Sequence, residues 1–146
     1  MSVPVSVIHA LLRSPEVQGI NFSYDGHSVT GQRFIALSSH FSEVTIPHRI
    51  RVTTNPAIVG GPGSRTFARY DQFEDKINVR GDNILSTVEG RAGFLHECVH
   101  ALQDRPAIDL RIQIAESMAY ILAFAHFSTS FWISSGCHGE SNIVFN

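Results

Sequence analysis

The segment from Ser86 to Leu102 limits the fold more than any other part of the chain. Val88, Ala92, Leu95, Val99 and Leu102 step by four, three, four and three residues, which aligns them in one apolar stripe on a helix. Ahead of them, Ser86-Thr87-Val88-Glu89 has the form of a capping box. Its serine oxygen would accept from a free backbone N–H, and its glutamate would reach back to the cap. The spacing predicts a helix of about five turns. Such a stripe needs a second surface to cover it, so the rest of the chain has to supply a core.

The preceding residues read as short elements with frequent punctuation. Val5 to Leu12 is apolar, and Ser14-Pro15-Glu16 has the form of a helix start or turn. Ile20 to Tyr24 ends at the turn signal Asp25-Gly26. Phe34, Ile35, Leu37 and Phe41 fit one face of a short helix, with a strand as the alternative. His48 to Thr54 alternates Ile50 and Val52 with Arg49 and Arg51, the pattern of a strand with one wet face. Thr66 to Tyr70 and Lys76 to Arg80 read as two strands of a hairpin turned by Asp71 to Asp75. Gly60-Gly61-Pro62-Gly63-Ser64 lacks the lysine of a phosphate-binding loop and reads as a connector. Beyond the striped helix, Ile108 to Phe127 reads as a second helix, entered after Asp104-Arg105-Pro106.

Composition narrows the classes. A length of 146 residues with 43% hydrophobic content fits a single domain, residues 1–146, with one core. It excludes a disordered chain. Eleven basic against thirteen acidic residues leave a net charge of −2, so no basic excess exists to hold a phosphate backbone and no nucleic-acid partner is expected. Met1 to Leu12 carries no Lys or Arg ahead of its apolar residues and no small-residue cleavage site follows. The expectation is a cytoplasmic protein or one exported without a signal peptide. Ser117 to Ser135 is uncharged but holds several Ser, a Thr and His126 and lacks basic flanks. It reads as a buried helix followed by a polar turn, not as a membrane span. Two cysteines, Cys98 and Cys137, suit one bridge or a reduced pair equally.

Eight histidines are many for this length, and two of them lie on the striped helix. His96-Glu97-Cys98-Val99-His100 reads H-E-x-x-H. At 100° per residue the two imidazoles lie roughly 40° apart on successive turns, with Glu97 beside them. Both can reach one metal ion. Two neutral imidazoles and a third ligand would hold Zn²⁺ with one position open for water, and the adjacent carboxylate would take that water's proton. The plainer alternative is an exposed helix face that happens to carry two His and a Glu. Gly93 falls on the same face one turn earlier, where a side chain would crowd water and substrate. Cys98 points to the opposite side and reads as an inert core residue.

The third ligand decides the subclass. A metzincin would continue with Gly and His at the positions of Gln103 and Pro106, so that pattern is absent. Glu116 stands at the threshold of the apolar run on the second helix, where a carboxylate needs a partner and a metal is a suitable one. With H-E-x-x-H followed by this Glu, the stretch from about Lys76 to Phe127 resembles the zincin metallopeptidases of gluzincin pattern. The run Glu116-Ser117-Met118-Ala119-Tyr120 is also similar to that of small zincin-type domains of bacterial polymorphic toxins and effectors. The resemblance implies zinc ligands His96, His100 and Glu116, with Glu97 as general base. It implies further that the strand Lys76 to Arg80 lines the cleft and pairs with an extended peptide, and that a toxin would have a cognate inhibitor or immunity protein.

Other candidates compete for roles at this site. Asp109 shares a helical face with Glu116 and is the rival third ligand, although an Asp at such a position commonly caps a helix. His126 lies about 15 Å beyond Glu116 along a helix and reads as a core histidine. Tyr120 stands where gluzincins of the thermolysin type place an acid. It is expected to pack and to hydrogen-bond a ligand imidazole rather than to react. Tyr70, His138 and Gly136-Cys137-His138-Gly139 are further sources of a transition-state donor, none supported by spacing.

The expected fold is therefore α+β and zincin-like: a short antiparallel sheet packed on an active-site helix and a second ligand-bearing helix. The expected function is zinc-dependent hydrolysis of a peptide bond in a protein or peptide substrate, with a toxin or effector protease as the specific form. The alternative is a catalytically inactive zincin-like metal-binding domain that serves protein–protein interaction. Glu97 argues against it, having no evident reason to accompany two His in a purely structural site.

Overall fold

Ile8, Leu11 and Leu12 give helix α1 (Val5–Leu12) its buried face. The structure, a computed structural model, describes residues 2–24, 27–57, 59 and 66–104. Helix α2 (Pro15–Gln18) starts where the Ser-Pro-Glu signal placed it. The Ser14 hydroxyl accepts from the Val17 N–H at 3.4 Å, and Pro15 occupies the first turn. Strands β1 (Asn21–Tyr24) and β2 (His27–Thr30) form an antiparallel hairpin in which Tyr24 pairs with His27. Helix α3 (Gly31–Ser38) follows directly and packs on α1 and α2. The side-chain amide of Gln18 joins these helices by donating to the Leu12 and Gly31 carbonyls at 2.9 and 3.2 Å.

Phe34 and Leu37 bury on α3 as expected, but Phe41 lies beyond the helix. It forms an isolated parallel bridge with Ile50 and packs its ring 6.1 Å from that of Phe94. The helix stops at Ser38, so Phe41 reaches the core from extended backbone.

The second sheet has the order β3–β5–β4, from β3 (Arg51–Thr54), β4 (Ala68–Asp71) and β5 (Lys76–Val79). The β4–β5 hairpin is the one expected from the sequence. The sheet as a whole corrects the expectation of an antiparallel one, because β3 runs parallel to β5 and the sheet is mixed. β5 is also not an edge. Strands pair with it on both sides, and Ile77, Asn78 and Val79 are all buried. Its backbone groups are used within the sheet, so an extended peptide cannot pair with it. Asn78 is tolerated in that interior because its carbonyl oxygen accepts from the Thr53 hydroxyl of β3 at 3.1 Å.

A 3₁₀ turn (Ile84–Ser86) leads into helix α4 (Val88–Asp104). The start of α4 differs from the capping box. Thr87 has extended backbone geometry, and its hydroxyl accepts from the Gly90 N–H at 3.1 Å. Ser86 belongs to the 3₁₀ turn and donates to the Asn83 carbonyl. The cap is thus Thr87, and Glu89 falls one position short of the box. Gly90 is required here, since a Cβ would lie 1.9 Å from the Ile84 carbonyl oxygen.

On α4 the buried face is wider than the predicted stripe. Phe94, Cys98 and Ala101 are buried along with Ala92, Leu95 and Val99, an arc of roughly 200° at 100° per residue. The remaining arc carries Gly93, His96, Glu97, His100 and Asp104. The fold is α+β, with four α-helices and two small sheets among the described residues. No helix among those residues is long and apolar enough to cross a membrane. The Gly60 to Ser64 connector, the second helix over Ile108 to Phe127, and Ser117 to Ser135 lie outside the described residues.

Candidate metal centre

The polar arc of α4 brings the two imidazoles together. Their Nε2 atoms are 3.1 Å apart, with ring centroids at 4.9 Å and planes inclined by 65°. At this distance the two nitrogens share a hydrogen bond whose donor depends on the tautomers of the rings. The same separation suits a shared metal. Two ligand nitrogens each 2.0–2.1 Å from a tetrahedral zinc stand about 3.3 Å apart. The pair therefore fits the ion with only a small opening of the rings.

Glu97 lies beside the pair. Its Oε1 is 3.9 Å from His96 Nε2, and the two side chains are 14% and 13% exposed. Both side chains are therefore largely covered rather than exposed. The other oxygen, Oε2, accepts from the backbone N–H of Tyr70 at 2.7 Å. This bond ties the carboxylate to the backbone of the strand.

β4, not β5, is the strand that faces this helix. Phe67, next to β4, accounts for Gly93: a Cβ there would stand 3.0 Å from Phe67 Cβ. The glycine makes room for the close approach of Phe67. The Arg80 guanidinium covers the same Phe67 ring, 5.8 Å from its centroid.

Tyr70, expected only as an unsupported donor, is a central contact of the site. Its phenol hydroxyl stands 2.9 Å from Asp104 Oδ2 and 3.2 Å from Asp75 Oδ1. Burial first, and then the hydrogen bonds and negative charges of these aspartates, push its pKa well above the usual tyrosine value. The phenol stays neutral and is committed to the aspartates, while its backbone N–H serves Glu97. Asp104 was legible as a continuation of the His96–His100 row, at the same four-residue step. The Glu97–Tyr70 and Tyr70–Asp104 contacts join residues 27 and 34 positions apart, and no local pattern marks them.

Cys98 is fully buried, and burial followed by the charge of Glu97 holds its thiol pKa well above the usual value. It is the inert core residue expected. Glu116, Asp109, Tyr120, His126, Cys137 and His138 lie outside the described residues. Among the described residues, no group of three His, Cys, Asp or Glu side chains forms a metal site. The third ligand expected beside the pair, Glu116, is read from the sequence alone. No family model, curated protein or solved structure matches the chain.

Proposed function

We propose that this protein is a zinc-dependent peptidase of zincin type, in which His96 and His100 hold the metal with Glu116 and Glu97 is the general base. One observation carries the reading: two imidazole nitrogens 3.1 Å apart on one helix face, with a carboxylate oxygen 3.9 Å from one of them. Bound Zn²⁺ would supply Lewis acidity toward water and the peptide carbonyl. Glu97 takes a proton at Oε1 and returns it to the leaving amine. The Tyr70 N–H keeps Oε2 in place throughout, so the side chain does not have to be reordered between the two transfers. The proposed substrate is a protein or peptide. A bacterial toxin or effector role, with an inhibitor protein as partner, is the form in which such an activity would be used.

The second reading, an inactive metal-binding domain for protein interaction, is favoured by one contact. The Glu97–Tyr70 bond gives the glutamate a structural task, pinning β4 to α4. Glu97→Gln separates the two readings. A glutamine carbonyl still accepts from Tyr70 but takes no proton at neutral pH. The peptidase reading expects zinc to stay bound near one equivalent and hydrolysis to fall by ~10²–10⁴-fold. Growth inhibition by the parent, if present, should disappear in the variant. Equal activity of parent and variant, or less than a tenth of an equivalent of metal after zinc is supplied, would overturn it.

A further inference from the structure

β4 is an edge strand of its sheet among the described residues, and the phase of its pairing is set at its beginning. Arg80 N–H donates to the Phe67 carbonyl at 3.0 Å. In the register Ala68↔Val79, Arg69↔Asn78 and Tyr70↔Ile77, this alternation turns the N–H groups of Ala68 and Tyr70 away from β5. The Tyr70 N–H therefore faces α4, where Glu97 Oε2 receives it at 2.7 Å. The phenol of the same residue reaches Asp104, about two turns further along α4. One residue thus grips the helix at two points on either side of His100.

We infer that Tyr70 is the positioning residue for Glu97, its phenol anchoring the edge strand to Asp104 so that its backbone N–H holds the carboxylate against His96. The inference rests on the peptidase reading for its consequence in catalysis, but the grip itself stands on geometry alone. A free glutamate side chain samples several rotamers. Two anchored ends leave one. Releasing the phenol lets β4 shift on the helix, and the short bond to Glu97 lengthens with it. The raised pKa of Tyr70 agrees with a phenol that stays a donor throughout the working pH range.

Two measurements on the full chain test this. The first is amide hydrogen exchange at position 70 by NMR, which needs no activity. E97Q should exchange within about threefold of the parent, because an acceptor remains. E97A should exchange at least tenfold faster, measured against the β5 amides as internal reference. Y70F, which keeps the N–H but loses the hydroxyl, should also exchange at least threefold faster. D104A should follow Y70F, and D104N should recover most of the protection by retaining an acceptor oxygen. The second measurement is hydrolysis of fluorescein-labelled casein by the zinc-loaded protein. Y70F should lower kcat about tenfold with KM changed less than twofold and zinc content unchanged. Exchange at position 70 that is the same in the parent, E97A and Y70F would overturn the grip. Parental kcat in Y70F, with exchange at position 70 accelerated, would overturn the positioning of the base. If the zinc-loaded parent leaves casein intact, the peptidase reading fails and with it the catalytic role, while exchange still decides the grip.

Discussion

Replacing Gly90 with Ala should destabilise the protein strongly, whereas the same change at Gly93, one turn along α4, should be nearly neutral. At position 90 the new Cβ would lie 1.9 Å from the Ile84 carbonyl oxygen and 2.9 Å from the Thr87 hydroxyl. Carbon and carbonyl oxygen meet at about 3.3 Å, so the helix start and the 3₁₀ turn must separate by more than roughly an ångström. That movement breaks the Thr87 cap, worth about 1 kcal/mol. It also displaces Ile84 and Leu85, buried beneath the turn, at an overpacking cost of about 1–3 kcal/mol. The gain in helix propensity returns about 1 kcal/mol. The net loss is about 1–3 kcal/mol, a large share of the ~5–15 kcal/mol that holds a domain together. At position 93 the nearest atom is Phe67 Cβ at 3.0 Å, so the backbone next to β4 has to give by only a few tenths of an ångström. There the propensity gain and the strain nearly cancel, within about 1 kcal/mol. Urea unfolding followed by circular dichroism reads both. With a slope of ~1–3 kcal/mol per molar, Gly90→Ala should lower the midpoint by roughly 0.3–3 M. A Gly90→Ala midpoint at or above the parent, or equal shifts for the two variants, would refute the close approach of α4 to the 3₁₀ turn.

Three further outcomes follow from the same contacts. Thr87→Ala should cost about 1 kcal/mol in urea unfolding and Ser86→Ala much less; the reverse order would restore the capping box. Cys98 keeps its proton in the folded state well above the ordinary thiol pKa, whereas the unfolded thiol ionises near pH 8.5. The unfolded chain then binds fewer protons, so stability should fall as pH rises above ~8.5, by linkage. Urea titrations at neutral and alkaline pH should show the fall in a Cys137→Ser background, and Cys98→Ala should reduce it. Glu116→Ala should lose zinc in metal analysis while Asp109→Ala keeps it, and the opposite result would move the third-ligand role to Asp109.

The helix that carries the candidate site was readable from Ser86 to Leu102 because its stripe and its H-E-x-x-H are both properties of the 3.6-residue period. The β4–β5 hairpin was readable because Asp71 to Asp75 is turn chemistry between two short strand-like runs, whereas at Asp25-Gly26 only the turn was read and the strand His27–Thr30 after it was not. The cap was misplaced by one residue because Ser86 and Thr87 are both competent caps. Only the 3₁₀ turn, which takes up Ser86, chooses between them.

Local periodicity by itself determined that α4 exists, that His96 and His100 share a face, and that Cys98 faces away from them. It did not determine what lies opposite that face. The order β3–β5–β4 places Lys76–Val79 at the centre and Ala68–Asp71 at the edge, and that choice depends on which strand's flank the helix covers. The same packing hands the Tyr70 N–H to Glu97 and the Tyr70 phenol to Asp104. It also makes Gly93 a seat for Phe67. Backbone periods repeat within a few residues, whereas edge pairing and steric fit are settled between segments some thirty residues apart. The tertiary structure alone therefore decided how the glutamate of the motif is held.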